Sequence, residues 1–151
     1  MKNLTAILCL TLVILLESVG NSESADFQKG LTAYKSGDYA TAMREWMPLA
    51  KQGNAGAQSN LGAMYYLGLG VTQDDKTAVK WYRLAAKQGY ARAQRYLGNM
   101  YYNGRGVLQD YVYAHMWWNI AASSGDKVAS KNIETVAKQM TPSQLEKAQN
   151  L

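Results

Sequence analysis

Few side chains in this sequence could carry covalent chemistry. His115 is the only histidine, so a histidine-based triad would have to use it, and a metal site needing several imidazoles has no second ligand. No nucleophile is placed for it to activate, which favours a surface or packing role. Cys9 is the only cysteine and lies inside the apolar run Leu4–Leu16. If that run is removed from the mature chain, disulfides, a thiol nucleophile and a thiolate metal site are all excluded. Side chains that could bind rather than react are more informative. Arg92, Arg95 and Asn99 recur at spacings of three and four, which places them on one face of a helix. Arginine and asparagine there can donate hydrogen bonds to a carboxylate, either an acidic side chain or a chain terminus. An ordinary solvated helical face is the competing and commoner explanation.

The elements that must position these residues are bounded first by composition. At 151 residues, 48% of them apolar, the chain has room for one domain with a real core. Charged residues are 18% of the total and the formal net charge is +5, a moderately basic field that favours acidic partners. Arg and Lys are scattered at helical spacing and no DNA or RNA motif is present, so nucleic acid is not indicated. Lys2 followed by the 13-residue run Leu4–Leu16 and then a polar stretch from Glu17 to Ser24 has the layout of an export signal. The run is shorter than the ~20 residues a membrane-spanning helix needs. Cleavage after Gly20 or Ser24 would send the remainder to a secreted or periplasmic location, with no integral membrane span left; an uncleaved anchor is the lesser alternative. Leu8, immediately before Cys9, argues against lipoprotein processing.

A repeat organises the rest. Ala55–Val71 and Ala91–Val107 match at an offset of 36 residues, and the register continues without a gap through Asp74 and Asp110, Ala78 and Ala114, Trp81 and Trp117, and Gly89 and Gly125. Asp38, Ala42, Trp46 and Gly53 lie 36 residues before Asp74, Ala78, Tyr82 and Gly89, whereas Gly30 and Tyr34 precede Gly62 and Tyr66 by only 32. A first repeat with a shorter connecting loop at Ser36-Gly37 is therefore present.

Each copy reads as helix, loop, helix. In Ala55–Leu67 the apolar residues Ala57, Leu61, Met64 and Tyr65 fall on one face. Gly68 stops the helix through the left-handed conformation that glycine tolerates. Asp38, Asp74 and Asp110 are placed to cap each second helix, which in the second copy runs to about Gln88 with Ala78, Trp81, Tyr82 and Ala85 inward. Gly62 and Gly98 sit in mid-helix, at a cost of about 1 kcal/mol relative to alanine. Close packing, with an aromatic ring of the partner helix filling the space, is the expected compensation. Tyr65, Tyr101, Trp81 and Trp117 repeat identically and are assigned to packing rather than to a ligand. Pro48 should kink its helix. In the tail, Asp126–Gln139 reads as a helix, and Thr141-Pro142-Ser143-Gln144 starts another over Pro142–Asn150 with a capping-box pattern.

The strings Ala-x-Ala-Gln-x-x-Leu-Gly-x-x-Tyr, Gly-x-Gly-Val-x-x-Asp and Ala-x-x-Trp-Tyr-x-x-Ala-Ala-x-x-Gly resemble the Sel-one-like repeat (SLR) family, a branch of the tetratricopeptide repeats, over about 26–125. The resemblance implies an all-α, right-handed α-solenoid of helix-turn-helix repeats with C-terminal capping helices, in an exported, bacterial-type member. Its divisions would be a signal peptide at 1–24, a tetratricopeptide-like repeat at 26–53, Sel-one-like repeats at 54–89 and 90–125, and a helical cap at 126–151. Repeat three departs from the pattern at Trp118 and Ser123-Ser124, as a terminal repeat often does.

Family membership further implies a protein-interaction scaffold, not an enzyme, holding a peptide or protein on a concave face lined by the first helices. It needs no cofactor and no metal. Carried over residue by residue, the groove positions are Phe27, Tyr34 and Lys35; Ser59, Ala63, Tyr66 and Leu67; and Arg92, Arg95, Asn99, Tyr102 and Asn103. Of these, Tyr34, Lys35, Tyr66, Arg92, Arg95, Asn99, Tyr102 and Asn103 are the candidate partner contacts. An envelope polysaccharide or peptidoglycan is the alternative ligand, with tyrosines stacking on sugars. A hydrolase is the remaining possibility. Ser124-Gly-Asp-Lys127 spells the Ser-x-x-Lys of serine β-lactamases, and some cysteine-rich members of the repeat family are linked to β-lactams. The companion Ser-Asp-Asn and Lys-Thr-Gly strings are absent here, so a chance match explains it better.

Overall fold

The computed structural model describes residues 25–151. The export signal, its cleavage positions and Cys9 lie outside the described residues. Among the described residues there are eight helices: α1 Phe27–Ser36, α2 Tyr39–Lys51, α3 Ala55–Leu67, α4 Asp75–Lys87, α5 Ala91–Asn103, α6 Tyr111–Ser123, α7 Lys127–Ala137 and α8 Pro142–Gln149. Each packs on its sequence neighbour through α7, and α8 returns onto α6. The result is an all-α helical solenoid of three hairpins and a cap.

The caps form where the sequence places them. Asp38 accepts from the Thr41 N–H at 3.1 Å, Asp74 from Thr77 at 3.0 Å, and Asp110 from Val112 at 2.9 Å, each satisfying a helix-start amide that has no partner in its own helix. Gly68 and Gly104 end α3 and α5 at φ of 70° and 67°, conformations that would strain any residue with a β-carbon. The capping box at Thr141 is complete: Thr141 Oγ1 accepts from the Gln144 N–H and Gln144 Oε1 from the Thr141 N–H. Asp126 itself is the N-cap of α7, not its first turn. Pro48 is contained within α2.

One packing device recurs in every hairpin. Gly62 faces the Tyr82 ring, and a β-carbon there would lie 2.7 Å from it; Gly98 faces Trp118 at 2.6 Å. Gly30 stands against Trp46 in the same way. The mid-helix glycines thus let an aromatic side chain of the second helix lie on the backbone of the first. Trp46, Tyr82 and Trp118 are all buried, and such burial contributes about 2–3 kcal/mol each. The indole N–H of Trp46 donates to Phe27 O at 3.2 Å and that of Trp118 to Arg95 O at 3.1 Å, whereas the buried Tyr82 hydroxyl has no partner among the described residues. Trp81 and Trp117, with Tyr65 and Tyr101, are half-buried and pack against the cores from their edges.

Adjacent hairpins are joined by side chains that reach backwards. Gln58 Nε2 donates to Ala50 O at 3.0 Å and Gln94 Nε2 to Ala86 O at 3.1 Å, so the glutamine shared by the two long repeats ties each first helix to the hairpin before it. Arg105, in the loop of the third hairpin, grips Asp75 of the second with both arms, at 2.9 and 2.7 Å, while its guanidinium lies 3.9 Å over the Tyr66 ring. Leu69 occupies the equivalent loop position one repeat earlier and packs against the core of the first hairpin, as Tyr34 and Tyr39 do. Every residue of α3 from Ala57 to Met64 is buried, as expected of a helix enclosed by neighbouring hairpins.

The cap continues the pattern for half a repeat. Ala129, Ile133 and Val136 lie 36 residues after Ala93, Leu97 and Met100 and pack into the core shared with Trp118. Where the next Gly-x-Gly loop would come, Thr141-Pro142 starts α8 instead.

Candidate partner-binding face

The eight candidate contacts lie on the first helices α1, α3 and α5, but the structure uses them unequally. Lys35, Arg92 and Asn103 are exposed. Lys35, Leu67 and Asn103 occupy equivalent positions in the three repeats, and Leu67 keeps 55% of its surface. These residues form a rim that changes from cationic to apolar to amide. Tyr34, Tyr66 and Tyr102 form a second, half-buried row. Tyr34 packs edge-on to Tyr39, Tyr66 lies under Arg105, and Tyr102 stacks on Tyr111 at 5.4 Å and accepts a hydrogen bond from Gln139 Nε2 at 2.9 Å.

Two groove positions taken from the resemblance are closed. Ser59 is fully buried and Ala63 is 6% exposed, so neither meets a partner. The hydroxyl of Ser59 is buried without a hydrogen bond.

Arg95 and Asn99 are committed to the cap. Arg95 Nε lies 2.8 Å from Asp126 Oδ2 and its guanidinium sits 4.6 Å over the Tyr96 ring. Burial pushes the Asp126 carboxyl upward, but the Ala129 N–H, the Arg95 hydrogen bond and its charge outweigh this and hold it below the usual carboxylate range. The carboxylate that Arg95 was expected to hold for a partner is thus supplied by the chain itself. Arg92, the other arginine of the trio, is exposed and makes only a longer approach of 5.7 Å to Tyr96. Asn99 Oδ1 accepts from Trp118 Nε1 at 2.9 Å and from Asn132 Nδ2 at 3.2 Å.

Beside this cluster is a cavity of about 260 Å³ lined by Asn99, Tyr102, Asn103, Trp118, Val128, Asn132 and Thr135. Three of the sequence-predicted residues come together in it. Val128, Asn132 and Thr135, from α7, were missed: they stand 36 residues after Arg92, Tyr96 and Asn99 but share no residue type with them, as Asp126 stands 36 residues after Tyr90.

His115 is 8% exposed with its Nδ1 unpartnered, and burial lowers its pKa. Its ring is enclosed on α6. Ser124 caps the end of α6, and its hydroxyl points back to Ile120 O at 3.4 Å. Among the described residues, no group of three histidine, cysteine or acidic side chains is placed to hold a metal, and no helix is long and apolar enough to cross a membrane.

Comparison with known proteins agrees with the geometry. The family model described as Sel1 repeat matches residues 55–90 and 91–126. The crystal structure of c5321, a protective antigen present in uropathogenic Escherichia coli strains and displaying an SLR fold, is 33% identical with a TM-score of 0.76, covering 80% of this chain and 27% of that one. A Sel1 repeat protein from Oxalobacter formigenes is 35% identical with a TM-score of 0.69, covering 72% of this chain and 44% of that one. The chain therefore spans less than half the length of either solved relative. No curated protein matches it. Sel1 repeat proteins generally act as protein-interaction scaffolds, and the fold is typically non-catalytic. The shared repeats and the shared fold make this chain a member of the Sel1-like repeat family.

Proposed function

We propose that this chain is an exported scaffold that holds a segment of a protein partner along the face lined by α1, α3 and α5. The observation that carries the proposal is the contrast between conserved scaffold positions and changing rim positions within one molecule. The glycines and their aromatic partners are spent on packing, while Lys35, Leu67, Arg92 and Asn103 differ in chemistry and remain open to solvent. Such a rim offers one cation at each end, an apolar side chain between, and an amide beside a cavity. Export rests on Lys2 and the apolar run Leu4–Leu16.

Photo-crosslinking tests the assignment directly. A benzophenone side chain placed at Leu67 or Asn103 should capture partner protein in an envelope extract, and the same group at Leu84 or Lys80, exposed on a second helix, should not. Capture from the second-helix positions alone would place the partner on the opposite side and overturn the proposal.

The glycan alternative is less favoured by the tyrosine row. A sugar-stacking surface needs open ring faces, and the rings of Tyr66 and Tyr102 are covered by Arg105 and Tyr111.

A further inference from the structure

The cavity between α5 and α7 carries a defined hydrogen-bonding pattern. The indole N–H of Trp118 can only donate, so the Asn99 atom it meets at 2.9 Å is the oxygen. Asn132 Nδ2 donates to the same oxygen at 3.2 Å. Asn99 Nδ2 is thereby left as a donor with no partner among the described residues. Asn103 Nδ2 donates to the Asn99 backbone carbonyl at 2.8 Å, an acceptor-only group, which leaves Asn103 Oδ1 unengaged. Asn132 donates one of its two N–H groups to Asn99, and its Oδ1 is likewise unengaged among the described residues. Three amides whose orientations are set by their own bonds therefore bring two carbonyl oxygens and the remaining N–H groups of three amide nitrogens to one cavity.

None of the seven lining residues is charged, and the nearby Arg95 is neutralised by Asp126 at 2.8 Å. A carboxylate entering would lose water, find neutral N–H groups but no cation, and face two carbonyl oxygens. A primary carboxamide is the reverse case. It has one carbonyl to accept from Asn99 and two N–H groups to donate to Asn103 and Asn132. Tyr102, Trp118 and Val128 supply apolar walls for the methylenes that carry it.

We propose that the Asn99, Asn103 and Asn132 cavity receives the carboxamide of a glutamine or asparagine side chain in the bound partner segment. The inference rests on the partner-holding function above and specifies its polar anchor.

Titration of the 15N-labelled protein with two short peptides tests it. Each is capped by acetyl and N-methylamide, and they differ only in a central glutamine or glutamate, so that the glutamine carries the only primary carboxamide. At neutral pH the glutamine peptide should shift the side-chain amide resonances of Asn99, Asn103 and Asn132 saturably, and the glutamate peptide should bind at least about tenfold more weakly, because its charge leaves two acceptors unpaired. Asn103→Ala, at an exposed position, should weaken the glutamine peptide by about tenfold for the one acceptor lost while the rest of the spectrum stays in place. Equal or tighter binding of the glutamate peptide, a response to N-acetylglucosamine but to neither peptide, or no saturable shift at the highest soluble concentration would each overturn the inference. If cross-linking at Leu67 and Asn103 persists after such a failure, the scaffold assignment stands and only the anchor is wrong. If cross-linking fails as well, the face itself is misassigned.

Discussion

Arg95 Nε and Asp126 Oδ2 meet at 2.8 Å across 31 residues of sequence, and this contact decides which arginine of the third repeat is available to a partner. The pair is largely enclosed, with side-chain exposures of 19% and 14%. Asp126 also caps α7 through the Val128 and Ala129 amides, so the bond links the last full repeat to the cap.

Arg95→Ala should therefore destabilise the protein by about 1–3 kcal/mol, since an enclosed carboxylate loses its cation. Arg92→Ala, at an exposed site, should change stability by less than about 0.5 kcal/mol and should instead weaken partner capture in a salt-sensitive way. Urea unfolding and capture at two salt concentrations separate the two roles. The acid limb of the stability profile gives a second readout. The Asp126 carboxyl is held below its unfolded value, so its contribution is complete above about pH 4 and lost as pH falls through the folded value. In Arg95→Ala the part of that loss owed to the ion pair should disappear; an unchanged acid limb would show that the pair contributes nothing.

Gly98→Ala should cost stability even though alanine favours helix by about 1 kcal/mol. The new β-carbon would stand 2.6 Å from the Trp118 ring, and displacing a buried indole that also bonds Arg95 and Asn99 should leave a net loss of about 1–3 kcal/mol. The thermal midpoint measures it, and a rise would show that the ring can move aside.

Lowering the pH should weaken the fold through His115. Burial holds its folded pKa below the ordinary value, so its titration takes nothing from stability above about pH 6.5, and stability is lost as pH falls from there through the folded value. His115→Val, the residue at the equivalent position 79, should flatten the stability profile in that window. Thermal melts between neutral and mildly acidic pH would show it; parallel profiles for the two proteins would exclude His115 as the source.

The amino-acid order alone specifies the hairpins, because each of their determinants is local or periodic. Asp74 caps a helix within three residues of itself, Gly68 ends one by its own backbone freedom, and the 36-residue register pairs Gly62 with Tyr82 and Gly98 with Trp118 in hairpins of equal length. The face that the first helices share was legible for the same reason. What those side chains do there was not. Arg95 and Asn99 read as free donors because Asp126 and Asn132, 36 residues after Tyr90 and Tyr96, match neither in type, and they lie in the cap 31 and 33 residues away. Only the docking of α7 against α5 and α6, driven by burial of Ala129 and Val136, brings them within bonding distance. That docking changes a cationic trio into one exposed arginine, one internal ion pair and an uncharged amide cavity.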